Sequence, residues 1–104
     1  MDFRTAQQLV GENKIAKGFN RDVPTELCLL GGEVSEFFDA WRRGLPTVGE
    51  ELADVVIYAL GLANIVNVDL QGAVEAKIAR NAGRRYAPGP NGTLVKVEGL
   101  DPDH

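Results

Sequence analysis

The sequence predicts an all-α protein of four helices, with a short tail or hairpin at its C-terminus. Apolar residues recur at helical spacing along most of the chain, and glycine or proline stands near the boundaries of these segments. The chain has 104 residues, which is the size of one typical domain. We therefore expect one helical domain over residues 1–86, followed by a Pro- and Gly-rich tail over residues 87–104.

The first two helices are expected over residues 2–17 and 25–43. Asp2 is a candidate N-cap for the first helix, because its side chain can accept a hydrogen bond from a free backbone N–H. Gly18 and Gly44 follow the two helices directly, and glycine is the preferred residue at that position because it adopts left-handed backbone angles without strain.

The third helix is expected to begin at residue 48 and to end at residue 65 or 66. Thr47 and Glu50 have the spacing of a capping box, in which each side chain binds the backbone N–H of the other residue. Asp69 is the expected N-cap of a fourth helix that ends near residue 81 or 82.

The tail has one sign of regular structure. Asn91 and Gly92 form a dipeptide that is common in hairpin turns, and alternating residues follow over 93–97. The pattern is typical of a small β-hairpin, although an isolated hairpin is only marginally stable.

Composition excludes several classes of protein. The net charge of −4 argues against binding to a nucleic-acid polymer, which needs a basic face. Cys28 is the single cysteine and His104, the last residue, is the single histidine, so an intramolecular disulfide and a histidine-based site are not expected. No apolar run is long enough to span a membrane, and we expect a cytoplasmic location. The chemistry must therefore rest on carboxylates, lysine and arginine.

Two pairs of acidic residues lie on the apolar sides of their predicted helices instead of on the sides that face solvent. On a helical wheel Glu33 lies in the middle of the apolar arc of the second helix, and Glu36 lies at its edge. Glu51 and Asp54 lie on an apolar flank of the third helix. A short loop over 44–46 makes the two helices antiparallel neighbours, so the four carboxylates can meet. Either each pairs with a lysine or arginine, or a divalent cation with oxygen ligands relieves their repulsion.

The fourth helix carries groups of opposite charge. Lys77 and Asn81 fall on the same face as Leu70 and Val74, which predicts an inward position for both. A cation beside a metal-binding acidic site is typical of phosphate binding, whereas a basic end of the helix could also simply complement the helix dipole.

These motifs in this order resemble the MazG-like, all-α nucleoside triphosphate pyrophosphohydrolases. The resemblance covers about residues 3–86 and combines an E-x-x-E motif, an E-x-x-D motif and a downstream K-x-x-x-N-x-x-R motif. In this chain they are Glu33-Val34-Ser35-Glu36, Glu51-Leu52-Ala53-Asp54, and Lys77, Asn81 and Arg84. Many members have a further Glu at the position of Gly32. This chain lacks that carboxylate, so the number of metal ions it would hold is left open.

The resemblance implies an activity, a cofactor and an oligomer. A (deoxy)nucleoside triphosphate would be hydrolysed to the monophosphate and pyrophosphate with Mg²⁺, or alternatively Mn²⁺, and the protein would be a homodimer or homotetramer. The metal ligands would be Glu33, Glu36, Glu51 and Asp54, and the phosphate-binding residues would be Lys77, Asn81 and Arg84.

Glu33 or Glu36 is the expected proton acceptor in catalysis, since no histidine is available in the predicted helices.

The residues that contact the nucleobase are poorly defined across the family, so candidates for this contact are taken from the sequence itself. The candidates for contact with the base are Trp41, Phe19, Asn13 and Lys17.

Two other functions fit the same sequence. The chain could be a non-catalytic, oligomeric helical interaction module, for which metal should not change thermal stability. It could also hydrolyse another nucleotide-like diphosphate, such as a phosphoribosyl intermediate, with the same motifs.

Overall fold

The computed structural model describes residues 1–18 and 21–98 and confirms the all-α class. The helices are α1 (Phe3–Lys17), α2 (Val23–Arg42), α3 (Val48–Ile65) and α4 (Leu70–Ala82), and the strands are β1 (Arg85–Pro88) and β2 (Leu94–Glu98). Within the described ranges no single helix is both long and apolar enough to cross a membrane; only α3 and α4 counted together reach that length and composition.

The ends of α1 and α2 follow from local side-chain chemistry. The Asp2 carboxylate accepts a hydrogen bond from the Thr5 backbone N–H at 2.8 Å, and Gly18 ends α1 with φ of 67°. Asp22 caps α2 by accepting from the backbone N–H and the hydroxyl of Thr25, at 3.0 and 2.7 Å. Because this cap precedes the expected start, α2 begins two residues earlier than the sequence predicts.

The capping box predicted for α3 is not formed. Thr47 is the N-cap residue, but its side chain makes no capping hydrogen bond. Its backbone angles, φ −83° and ψ 4°, lie outside the extended region in which an N-cap side chain reaches the N–H groups of the first turn.

The chain divides into two compact units, Met1–Gln71 and Gly72–His104. In the first unit α3 packs against both α1 and α2. Among the described residues three apolar side chains are buried, and two of them are small: Ala40, Leu60 and Ala63. The first unit therefore has a thin core and leaves many larger apolar side chains partly exposed.

A set of polar contacts joins the start of α1 to the segment after α3. The Gln7 side-chain amide donates to the Val68 carbonyl at 2.7 Å and accepts from the Leu70 N–H at 3.1 Å. The Arg4 guanidinium lies 2.7 Å from the Asp69 carboxylate. These contacts satisfy backbone groups where the chain turns into α4.

The hairpin that the Asn-Gly turn suggested is present, and it begins at Arg85, two residues before the predicted tail. β1 and β2 are antiparallel, with Tyr86 opposite Lys96. Gly92 has φ of 83°, and the Asn91 side chain accepts from the Thr93 N–H at 3.1 Å. The turn therefore uses both the conformational freedom of glycine and the side-chain bonding of asparagine.

Candidate functional site

Three of the four predicted metal ligands converge where α2 packs on α3. One carboxylate oxygen from each of Glu33, Glu36 and Glu51 lies within 4.8 Å of the others; we call these three residues the acidic cluster. Glu33 and Glu51 are half-buried and Glu36 is exposed. Convergence follows from antiparallel packing, because residues near the end of α2 then lie beside residues near the start of α3.

Asp54 lies close to the acidic cluster without belonging to the set within 4.8 Å. Partial burial, followed by the nearby carboxylates of Glu36, Asp54 and Glu51, raises the pKa of Glu33. Partial burial and the neighbouring Glu36, Asp54 and Glu50 raise the pKa of Glu51 in the same direction. The four predicted acids therefore share one electrostatic site.

The acidic cluster fits a hard divalent cation. Glu33 Oε2 is buried and has no hydrogen-bond partner among the described residues. The ion pairs found in the described ranges use carboxylates outside the acidic cluster, namely those of Asp39, Asp69 and Glu26. A buried carboxylate oxygen needs a partner, and clustered carboxylate oxygens are the ligands that Mg²⁺ and Mn²⁺ prefer.

A buried ion pair lies deeper in the same unit. Lys14 Nζ is 3.1 Å from Glu26 Oε1, and the two side chains are only 13% and 4% exposed. This ion pair was not predicted from the sequence. The available signal was the seven-residue spacing from Glu26 to Glu33, which places both on one face of α2.

The Lys14 side chain is held by its surroundings. Its ammonium lies 5.4 Å from the centre of the Tyr58 ring. An added Cβ at Gly61 would lie 2.7 Å from Lys14 Cε, so the absence of a side chain at Gly61 leaves the space that Lys14 uses. α1 therefore contributes a positioned cation to a region otherwise rich in acids.

A cavity of about 270 Å³ lies between α1 and α3; we call it the α1/α3 cavity. Its lining is mostly apolar and comprises Leu9, Val10, Asn13, Lys14, Ile57 and Tyr58. Tyr58 connects the cavity to the acids. It lies one helical turn after Asp54, and its pKa is raised by burial and then by the charges of Glu33, Glu26 and Asp54.

The predicted phosphate-binding residues lie in the second compact unit. Arg84 donates to Asn81 Oδ1 at 2.7 Å, so two of the three are in contact. Lys77 and Asn81 are exposed, which corrects the inward positions predicted by the helical wheel. The Nε and one terminal nitrogen of Arg84 are buried with no hydrogen-bond partner among the described residues.

The candidates for base contact have different surroundings. Asn13 lines the α1/α3 cavity, whereas Lys17 is exposed in the last turn of α1. Trp41 is 65% exposed, with its ring centre 5.8 Å from that of Phe38. Phe19 lies outside the described residues.

The chain is similar to known proteins both in sequence and in fold. No family model matches the chain. A cyanophage S-2L protein named dATP/dGTP diphosphohydrolase is 43% identical over 51 residues, and the match spans about half the length of each protein (49% of both). A solved structure, a cyanophage S-2L MazG-like pyrophosphohydrolase bound to dGDP and three catalytic Mn²⁺ ions per active site, superposes with a TM-score of 0.73 and 26% identity. That superposition covers 94% of this chain and 99% of the other. The chain is therefore similar to a MazG-like pyrophosphohydrolase in its fold and, over about half its length, to a dATP/dGTP diphosphohydrolase in its sequence.

Proposed function

We propose that the protein hydrolyses (deoxy)nucleoside triphosphates to the monophosphate and pyrophosphate, with Mg²⁺ or alternatively Mn²⁺. The observation that carries the proposal is the acidic cluster with its unpartnered, buried Glu33 oxygen. The two similar proteins add support, because one is named a dATP/dGTP diphosphohydrolase and the other contains dGDP and Mn²⁺.

The acidic residues of the site would bind the metal, and one of them would also accept a proton. Glu33, Glu36 and Glu51 would hold the cation, with Asp54 beside them. When bound, a divalent cation neutralises phosphate charge and lowers the pKa of water. Glu33 or Glu36 would accept the proton of the attacking water. The raised pKa of Glu33 favours that role near neutral pH, where a base with a higher pKa works better.

Lys77, Asn81 and Arg84 would bind the phosphate chain. A guanidinium forms strong, directional hydrogen bonds to phosphate oxygens. Arg84 has buried nitrogens without partners among the described residues, and Asn81 orients its side chain through a 2.7 Å hydrogen bond. Phosphate oxygens would provide the missing acceptors.

The α1/α3 cavity would receive the base. Apolar side chains suit the faces of an aromatic ring, and a few polar groups at the rim suit its edge. Of the four candidates from the sequence, Asn13 is the one that lines this cavity among the described residues. Trp41 and Lys17 are not among the described residues that line it, and Phe19 lies outside the described residues; all three stay predictions.

A homodimer or homotetramer would cover a second apolar surface. Leu27, Val34, Phe38 and Trp41 share one face of α2 and are 56%, 49%, 55% and 65% exposed; we call them the outer stripe. A continuous apolar surface of this kind is typical of an interface. The small buried core supports the same proposal, since association would add buried apolar area.

The test is a panel of nucleoside triphosphates with Mg²⁺ or Mn²⁺, in which monophosphate and pyrophosphate are both measured. Glu36→Gln should abolish turnover and leave the circular dichroism spectrum unchanged, whereas the exposed Glu12→Gln on α1 should retain the wild-type rate. Pyrophosphate release at the wild-type rate by Glu36→Gln would refute the assignment of the site.

Thermal unfolding with and without metal distinguishes the alternatives. A metal site should stabilise the folded protein, by about 2.7 kcal/mol when the free metal is at 100 times its Kd. No turnover and no metal-dependent shift would favour the interaction module. Turnover only of a phosphoribosyl diphosphate compound would favour the other hydrolase.

A further inference from the structure

Tyr58 lies where the acidic cluster and the α1/α3 cavity meet. Its side chain lines the cavity, and the Lys14 ammonium lies over its ring, 5.4 Å from the ring centre. On α3 it follows Asp54 by four residues and Glu51 by seven, so these three side chains share one side of the helix. Burial and then the charges of nearby carboxylates, Glu33 first among them, raise the pKa of Tyr58. The hydroxyl is therefore close to the acids, while the ring forms part of the cavity wall.

The order of these residues along α3 determines which part of a nucleotide meets Tyr58. The inference rests on the proposed function, in which the acidic cluster holds the metal and phosphates and the α1/α3 cavity receives the base. Seven residues of helix separate Glu51 from Tyr58, which is a rise of about 10 Å. The sugar joins the phosphates to the base, so a nucleotide that reaches from the acidic cluster into the cavity brings its sugar to Tyr58.

We propose that the Tyr58 ring selects the sugar of the substrate and favours 2′-deoxyribose over ribose. The α3 wall of the cavity is formed by Ile57 and Tyr58, whereas its polar side chains, Asn13 and Lys14, come from α1. The C2′ methylene of a deoxyribose would pack on the aromatic ring. The 2′-hydroxyl of a ribose would lose its water at the same place without gaining a hydrogen bond there, which is unfavourable for a polar group.

The decisive comparison is between triphosphates that differ only in the 2′-hydroxyl. dATP is measured beside ATP, and dGTP beside GTP, with the same metal and protein concentration. Wild-type protein should favour the deoxynucleotide of each pair in kcat/KM by roughly 5- to 150-fold, which is the effect of burying one hydroxyl without a hydrogen bond. The preference should appear with both bases, because Tyr58 would contact the sugar and not the base.

Variants separate the ring of Tyr58 from its hydroxyl. Tyr58→Ala removes the ring and admits water beside the sugar, so the deoxy/ribo ratio of kcat/KM should fall to within about threefold of one. Tyr58→Phe keeps the ring and should keep the wild-type ratio. The matched control is Val56→Ala, because Val56 is 40% exposed and lies two residues before Tyr58, on the far side of α3; it should also keep the wild-type ratio.

Three results would overturn the proposal. The first is a wild-type ratio of one or below, which does not depend on whether any variant folds. The second is a folded Tyr58→Ala protein with the wild-type ratio, and the third is loss of the preference in Tyr58→Phe, which would assign it to the hydroxyl. If no triphosphate is hydrolysed, the proposed function fails, and calorimetric titration with dAMP and AMP in Mn²⁺ still tests sugar selection. Tighter binding of dAMP that is lost in Tyr58→Ala would support it, and equal binding would refute it.

Discussion

Removing the charge of Lys14 should destabilise the protein far more than an average substitution. Lys14→Met leaves Glu26 as a buried carboxylate without its counter-ion, and its side chain is only 4% exposed. Loss of one partner of a buried pair costs about 3–5 kcal/mol. Because the Lys14 side chain is 13% exposed, we expect the lower end, about 3 kcal/mol. In a domain of this size that lowers Tm by roughly 12–24 °C.

A double-mutant cycle in urea isolates this effect. Lys14→Met/Glu26→Gln removes both charges and should lie within about 1 kcal/mol of wild type, so the coupling free energy should be at least about 2 kcal/mol, because Glu26→Gln alone also leaves Lys14 without its counter-ion. The exposed Glu12→Gln should change the free energy of unfolding by less than about 0.5 kcal/mol. Protein concentration must be constant, because association changes apparent stability. If the effects of the two single substitutions simply add, the pair is not energetically coupled and the reasoning is refuted.

Three other predictions concern the acidic cluster, the space beside Lys14 and the outer stripe. Without metal, unfolding free energy should rise as pH falls from neutral, because Glu33 has a raised pKa and binds a proton in the folded state before it does so in the unfolded chain. The gain should end near its ordinary value of 4.5, and saturating Mn²⁺ should reverse the slope; a rise that persists in Mn²⁺ would contradict a metal site. In urea unfolding, Gly61→Ala should cost about 1–3 kcal/mol, because the added methyl group displaces Lys14. The control Gly31→Ala places its methyl group where no atom lies within 4 Å, and it should stabilise the protein by about 0.5–1 kcal/mol. Equal effects of the two substitutions would contradict close packing of Lys14 against Gly61. Trp41→Glu on the outer stripe should shift the protein to a smaller species in analytical ultracentrifugation, and an unchanged mass would place the interface elsewhere.

Local features of the fold could be predicted because they depend on neighbours in sequence. Gly18 and Gly44 both have the left-handed backbone angles expected after a helix, with φ of 67° and 65°. The Thr47 capping box could not be predicted reliably, because the direction of a hydroxyl depends on backbone angles that the preceding loop sets. Lys77 shows the same limit, since a helical wheel gives the shared face of a helix and not what covers that face.

The acidic site could be predicted from the sequence for a different reason. Helical periodicity fixes which residues share a face, and a three-residue loop fixes which helices are neighbours, so Glu33, Glu36 and Glu51 could be expected to meet. The sequence did not indicate that Glu33 would have a buried oxygen without a partner, because burial depends on atoms from several helices. It also gave Asn13 only as one candidate among four, without the cavity that it lines.

The sequence by itself determined the helices, their order and the pairs of acids that α2 and α3 bring together, because these follow from spacing within about one turn and from short connections. Only the tertiary structure decided that Lys14 reaches Glu26 across α3, beside Tyr58 and over Gly61. Such a contact joins residues far apart in sequence, and no local pattern specifies it. Its physical basis is the close packing of three helices, in which one missing side chain leaves room for a buried charge.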